Sequence, residues 1–243
     1  MSAPPIILTP FDTESESHID RLIKQRIACG WGAAAVPAVV KRQQEKKCMV
    51  YWVVSQNPAP IVLSLLTHKF QVLHPHNPEA GELLSLHLSK NPDEATALQN
   101  SAGFAPRTFH PVGHISLNFD DEPDLVDHTK GLFCISEFFI SHQLQGSGVG
   151  KAAMNALEDI AKAPPINAKI LSLRCRSTLT EKSELEGVYR EIGQEIPMEV
   201  ENWYRKRGYE VVRTKEEGLK HDGFEREYTF KWSYMRKTLE GGA

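Results

Sequence analysis

The chain has 243 residues, 41% of them apolar and 24% charged, with a formal net charge of −3. That length can bury a sizeable core as one large domain or two small ones, and the balance is that of an ordinary globular protein. A slightly acidic chain gives no support for nucleic-acid binding, which goes with a basic domain. No stretch approaches the roughly 18 apolar residues of a membrane helix, so no membrane partner is expected either.

Taken in chain order, the N-terminal Met-Ser-Ala-Pro-Pro has no charged leader followed by an apolar core, so a cytoplasmic protein is expected, with the nucleus as the alternative. Residues 6–9 read as an edge strand stopped by Pro10. Ser17 and Asp20 form an approximate capping box. Ile19, Leu22, Ile23 and Ile27 then fall on one helical face, and Gly30 ends the helix. A second helix around Pro37 is expected within 31–44, a strand over 48–54 and another over 61–66. Residues 74–106 are rich in turn formers, with one helix near 79–88. Strands follow at 112–117, 132–140 and 169–175, with a helix before Pro164-Pro165, another over 181–195 and a short one carrying Val200, Trp203, Tyr204 and Arg207 on one face. Residues 209–212 and 228–235 read as the last strands. Strands alternating with helices, with hairpin-like pieces at both ends, predict an α/β or α+β fold on a sheet of mixed direction.

Cys29, Cys48, Cys134 and Cys175 are widely spaced, with no C-x-x-C pair, so neither structural zinc nor a disulfide framework is expected. Cys134 and Cys175 read as buried thiols. His74, His76 and His110 lie in proline-rich surroundings without cysteine or carboxylate at ligand spacing, and they read as solvated loop residues rather than metal ligands. The acidic run 120–124 reads as a solvated turn.

The most telling stretch is Phe138-Phe139-Ile140, then Gln145-Gly146-Ser147-Gly148-Val149-Gly150-Lys151. A buried strand, a glycine turn and a helix start make an anion site: first-turn amides lack intrahelical acceptors, and the helix dipole favours negative charge there. A Walker loop would need glycine at Gln145 and Ser or Thr at Ala152, and a dinucleotide fingerprint would need G-x-G-x-x-G. Gln145, Gly148 and Gly150 instead satisfy [RQ]-x-x-G-x-[GA]. With the Phe138-Phe139-Ile140 triplet five residues upstream and Tyr204-Arg205-Lys206-Arg207-Gly208-Tyr209 downstream, the chain resembles the GNAT superfamily of N-acetyltransferases over roughly 112–237.

The resemblance implies one domain over 1–243. Residues 1–106 would form the variable, substrate-side part and 112–237 the cofactor-binding core, on a mixed sheet of six to seven strands flanked by helices. Its two parallel strands, 132–140 and 169–175, would splay at the cofactor. It implies acetyl-CoA as cofactor, without metal, with the turn from Gln145 to Lys151 on the pyrophosphate and Phe138, Phe139 and Ile140 along the pantetheine. The Phe138 amide would meet the acetyl oxygen. Tyr204 would protonate the departing thiolate, its phenol being close enough to a thiol in pKa to exchange a proton with it. Glu137 is the candidate base on that analogy, and it lies on the opposite face from Ser136 unless a bulge shifts the register. His114, with a suitable intrinsic pKa, is the other candidate.

The expected function is transfer of an acetyl group from acetyl-CoA to a primary amine by direct attack in a ternary complex. The acceptor is a small-molecule amine or a peptide amine. A non-catalytic acyl-CoA-binding or sensor protein on the same fold is the alternative, and a nucleotide hydrolase is opposed by Gln145 and Ala152. Aromatics such as Phe224 and Trp232 are available for a homodimer interface as well as for the core.

Overall fold

The computed structural model describes residues 5–55, 98–99, 108–109, 111–120, 122, 124–191, 196, 199–219 and 226–239. The expected strand at 61–66, the helix near 79–88, His74, His76, His110 and Phe224 lie outside them. The described strands are β1 (Ile6–Pro10), β2 (Cys48–Ser55), β3 (Leu98–Gln99), β4 (Thr108–Phe109), β5 (Pro111–Asn118), β6 (Leu132–Ile140), β7 (Ile170–Arg176), β8 (Glu210–Leu219) and β9 (Tyr228–Thr238). The helices are α1 (Glu16–Cys29), α2 (Val36–Gln44), α3 (Val149–Lys162), α4 (Lys182–Glu191) and α5 (Val200–Arg205). Seven strands form one sheet in the order β1-β2-β5-β6-β7-β9-β8, and β3 and β4 pair with each other. The sheet is mixed, parallel between β6 and β7 and antiparallel at β1–β2, β7–β9 and β8–β9, so the expected α/β class with a mixed sheet holds. The chain divides into two compact units, Met1–Leu117 with Glu137–Ile160, and Asn118–Ser136 with Ala161–Ala243.

In the first unit the core gathers Phe11, Leu22, Val36, Val39, Cys48, Val50, Trp52, Val54 and Phe109. Helix α1 departs from expectation at both levels. It begins at Glu16 after Ser15, which makes no side-chain cap, so Ser17 lies inside the helix and the expected capping box is absent. Its buried residues are His18, Arg21, Leu22, Gln25 and Ala28, while Ile27 is exposed. Of the expected face, Leu22 lies in the core and Ile19 and Ile23 pack against it. The polar groups buried beside them each reach a partner, as buried polar atoms must. Arg21 Nη2 and Gln25 Nε2 donate to the Pro111 carbonyl at 3.1 and 3.2 Å. The Trp52 indole N–H donates to His18 Nδ1 at 3.0 Å. The helix expected around Pro37 is a 3-10 turn, Ala33–Ala35, followed by α2, with Pro37 in the first turn, where its missing N–H costs no intrahelical bond.

In the second unit β7 pairs along its length with β9, and β8 closes the edge. The last hairpin is longer than its apolar pattern suggested, because β8 continues through Arg213, Thr214, Lys215, Glu216 and Glu217, a charged edge that the apolar periodicity could not register. Helix α4 is described over Lys182–Glu191, and residues 192–195 of the expected helix lie outside the described residues. Trp232 is partly buried and packs on the cluster of Leu125, Val126, Cys134 and Tyr234, with the Arg174 guanidinium 5.1 Å from its ring centroid.

Candidate active site

Strand β6 is where the sheet changes character. Its parallel ladder with β7 joins Leu132–Ile135 to Ile170–Leu173 and runs no farther. Two residues on, Glu137 has φ +49°, a left-handed conformation that a pleated strand does not contain, so the alternation of faces is broken there. The boundary between the two units falls at the same point, between Ser136 and Glu137. Gly113 of β5 makes room for this course. A Cβ there would lie 2.2 Å from the Phe139 carbonyl oxygen and 3.0 Å from Ile140 Cα. Past the irregularity Phe138 is partly buried, and Phe139 and Ile140 are buried.

The chain then turns through a 3-10 segment, His142–Leu144, into Gln145, Gly146, Ser147 and Gly148, and α3 starts at Val149. Gly146 and Gly148 have φ of +78° and +91°, so glycine is needed at both for conformation alone. A Cβ at Gly146 would meet nothing within 4 Å, which leaves the backbone there open to a ligand. Side chains brace the turn from behind. Gln145 Nε2 donates to the Ile140 carbonyl at 3.0 Å and lies 3.3 Å from His142 Nδ1, while His142 Nε2 donates to the Ala28 carbonyl at 3.0 Å. Ser147 Oγ donates to the Leu144 carbonyl at 2.5 Å. Gln145 and Ser147 thus hold the turn's shape with their side chains. Val149, Ala153, Met154, Leu157 and Ala161 anchor α3 by its buried face, and Lys151 is exposed.

Beside the turn in the same unit stand the two expected bases. Glu137 is ion-paired with Arg26 at 2.7 Å, its side chain 27% exposed. His114 is wholly buried. Its Nδ1 lies 2.8 Å from Gln25 Oε1, and since Gln25 spends its amide N–H on Pro111, the histidine is the donor. Nε2 has no hydrogen-bond partner among the described residues. Burial first, and the Arg26 charge second, push the imidazole well below its usual pKa, so it is neutral and weakly basic. Arg26 and Gln25 are the residues that periodicity missed here. The signal was present in the helical spacing of His18, Arg21 and Gln25.

Tyr204 belongs to the second unit, on α5. Its ring lies 5.0 Å from that of Trp203 and 5.8 Å from that of Tyr209. Burial, then the neighbouring Cys175, pushes the phenol well above its usual pKa, so it is a neutral O–H donor at physiological pH. Burial likewise pushes the Cys175 thiol up to about 12. None of the four cysteines forms a disulfide, and Cys134 and Cys175 are both buried, as expected. Among the described residues no group of three or more His, Cys, Asp or Glu is arranged to hold a metal ion. No described helix is long and apolar enough to cross a membrane.

A mixed sheet with a parallel β6–β7 ladder thus leads through a glycine turn into the start of α3. The sequence profile of the acetyltransferase (GNAT) family matches residues 65–193, just over half of the chain, and the chain belongs to that family. The match takes in the strand, turn and α3 and ends before Tyr204. Solved structures share the fold at low identity. Arabidopsis thaliana NAA60 in complex with a bisubstrate analogue aligns with a TM-score of 0.52 at 11% identity, over 97% of this chain and 100% of that one. RimL, a ribosomal L7/L12 alpha-N-protein acetyltransferase, aligns at 0.51 and 10% identity, over 99% and 97%. An aminoglycoside 6'-N-acetyltransferase complexed with coenzyme A aligns at 0.50 and 12% identity, over 98% and 99%. No curated protein matches the chain.

Proposed function

We propose that the chain, residues 1–243 acting as one domain, is an N-acetyltransferase that takes its acetyl group from acetyl-CoA and delivers it to a primary amine by direct attack in a ternary complex. The observation that carries this reading is the turn Gln145–Lys151, where two left-handed glycines precede a helix start and the space above Gly146 is empty. Acetyl-CoA supplies an activated acyl group whose leaving group is a thiolate. Backbone amides of Gly146, Gly148, Val149, Gly150 and Lys151 would hold its pyrophosphate, and the backbone of Phe138, Phe139 and Ile140 would line its pantetheine. The Phe138 amide would be the donor to the acetyl oxygen. Tyr204, kept protonated by its surroundings, would be the proton donor to the departing sulfur.

Of the two bases, Glu137 is the better supported, being partly exposed, whereas His114 is sealed and weakly basic. His114 then acts by holding Gln25 and the end of α1 in place. Acceptors of two kinds remain in view, a small-molecule amine and a peptide amine, as the named neighbours act on a protein and on an aminoglycoside. A second reading, an acyl-CoA sensor without turnover, draws support from the Arg26 guanidinium that already engages Glu137.

Calorimetric titration with acetyl-CoA tests the cofactor site. Micromolar binding is expected for the wild type and loss of it for Gly148→Glu. Absence of binding by folded wild type overturns both readings. Thiol release from acetyl-CoA with a polyamine, an aminoglycoside and a free-N-terminus peptide then separates enzyme from sensor, with Tyr204→Phe as control.

A further inference from the structure

Helix α5 is six residues long, too short to stand on its own propensity, and Glu199 before it makes no side-chain cap. Its only deeply buried residue is a charged one: Glu201 is 3% exposed. Every partner around that carboxylate is a donor. Oε1 accepts from Arg205 Nε at 3.0 Å, Arg205 Nη2 at 2.9 Å and Thr178 Oγ1 at 3.5 Å. Oε2 accepts from the Ser233 hydroxyl at 2.6 Å and the Thr178 backbone N–H at 3.1 Å. Thr178 lies just past the end of β7 and Ser233 sits on β9 directly opposite Cys175 of β7, so one side chain joins α5 to two strands. Burial alone would raise the carboxyl pKa, yet hydrogen bonds from Ser233, Arg205, Thr178 and Ser177 prevail and hold it below the usual range. An ionised carboxylate is the only side chain of this size that is acceptor at both ends.

Tyr204 comes three residues after Glu201, and the thiol of Cys175, across the ladder from Ser233, is one of the groups that sets its electrostatic surroundings. We infer that Glu201 is the positioning residue of Tyr204: its buried carboxylate pins α5 to the end of β7 and to β9 and thereby fixes where the phenol sits. This rests on the reading of Tyr204 as the acid. The inference does not make Glu201 a catalytic residue, since its oxygens are filled by the protein's own donors.

The test uses Glu201→Gln, which is nearly isosteric but turns an N–H₂ toward donors, and Ser233→Ala, which removes one partner and spares the fold. Two readouts need no acceptor amine. In hydrogen exchange by mass spectrometry, peptides covering 199–209 are expected to exchange about tenfold faster in Glu201→Gln, those covering 145–151 unchanged. In alkaline difference absorbance against Tyr204→Phe, the Tyr204 increment is expected to be missing in the wild type and present near pH 10 in Glu201→Gln, about the ordinary phenol value. In turnover of acetyl-CoA, kcat is expected to fall as far as in Tyr204→Phe, with KM for acetyl-CoA held and no further loss in the double variant. Unchanged exchange and unchanged tyrosine titration would overturn the inference. A kcat loss that adds in full to that of Tyr204→Phe would overturn it too. Wild-type kcat in Tyr204→Phe would instead sink the acid reading, while exchange and titration would still decide what Glu201 holds.

Discussion

The glycine turn and helix α5 solve the same problem, holding a short segment rigid, by opposite means. The turn uses backbone. Gly146 and Gly148 supply conformations other residues resist, and the groups proposed to meet the cofactor are main-chain amides. Helix α5 uses a side chain, the Glu201 carboxylate, saturated with donors from three segments of its unit. The turn should be sensitive first to glycine replacement, with the Gln145 and Ser147 braces second to it. A side-chain hub should behave the other way, and the contrast can be attacked from both ends.

The largest expected effect is at Gly148. With φ at +91°, any side chain strains the turn, and Glu adds a negative charge where an anion is to bind. Gly148→Glu should weaken acetyl-CoA binding at least about 100-fold, equivalent to about 2.8 kcal/mol, read by calorimetry. Glu201→Gln should leave that affinity within about twofold. If it weakened binding as much as Gly148→Glu does, the two regions would not be separable in the way proposed.

Next comes Gly113→Ala, which tests whether β6 depends on its neighbour's missing side chain. The added Cβ would lie 2.2 Å from a backbone oxygen, an atom that cannot swing away, so strand β6 or β5 must shift. Overpacking of this kind costs about 2–3 kcal/mol, and the denaturant midpoint should fall accordingly at constant m-value. An unchanged midpoint would mean that the irregularity at Glu137 is softer than its geometry implies.

These two glycines also mark what could be read from the sequence. The spacing of 146, 148 and 150 after an apolar strand pointed to the turn because backbone chemistry leaves a fixed residue signature. The strands themselves followed from apolar runs of strand length, whereas the parallel pairing of β6 and β7 was what the family resemblance implied. What escaped was polar. Helix α1 packs Ile19, Leu22 and Ile23 as periodicity expects but also buries His18, Arg21 and Gln25, and nothing local says that Pro111 and Trp52 will satisfy them. Nothing in the local sequence marks Glu201 as buried. Its donors come from Thr178 and Ser233, more than twenty residues away on either side. Gly113 reads as a flaw in a strand until the course of β6 is known.

The hidden polar row makes a prediction of its own. His114 is held neutral in the fold, with a pKa well below its usual value, so the unfolded chain binds a proton that the native one refuses. Its contribution is therefore complete above about pH 6.5 and is lost as pH falls below it, at up to about 1.4 kcal/mol per pH unit for one proton. Between pH 6.5 and 5, before most carboxylates titrate, stability should drop by up to about 1.7 kcal/mol. In His114→Gln that slope should vanish, whatever the variant's absolute stability. A wild-type curve flat over this range would show that the site takes up a proton without opening.

The smallest expected effect discriminates best between turn and ligand. At Gly146 an added methyl would touch nothing within 4 Å, so Gly146→Ala carries only the left-handed penalty, about 1 kcal/mol of stability. That same empty space is where the proposal puts the cofactor's pyrophosphate. The methyl should therefore cost acetyl-CoA affinity beyond what the stability loss explains, by roughly tenfold or about 1.4 kcal/mol. A Gly146→Ala protein that loses stability but binds acetyl-CoA as the wild type does would move the anion away from Gly146 and toward the helix end at Val149 and Gly150. The turn would then be a conformational hinge for α3, with its ligand contacts confined to the helix's first amides.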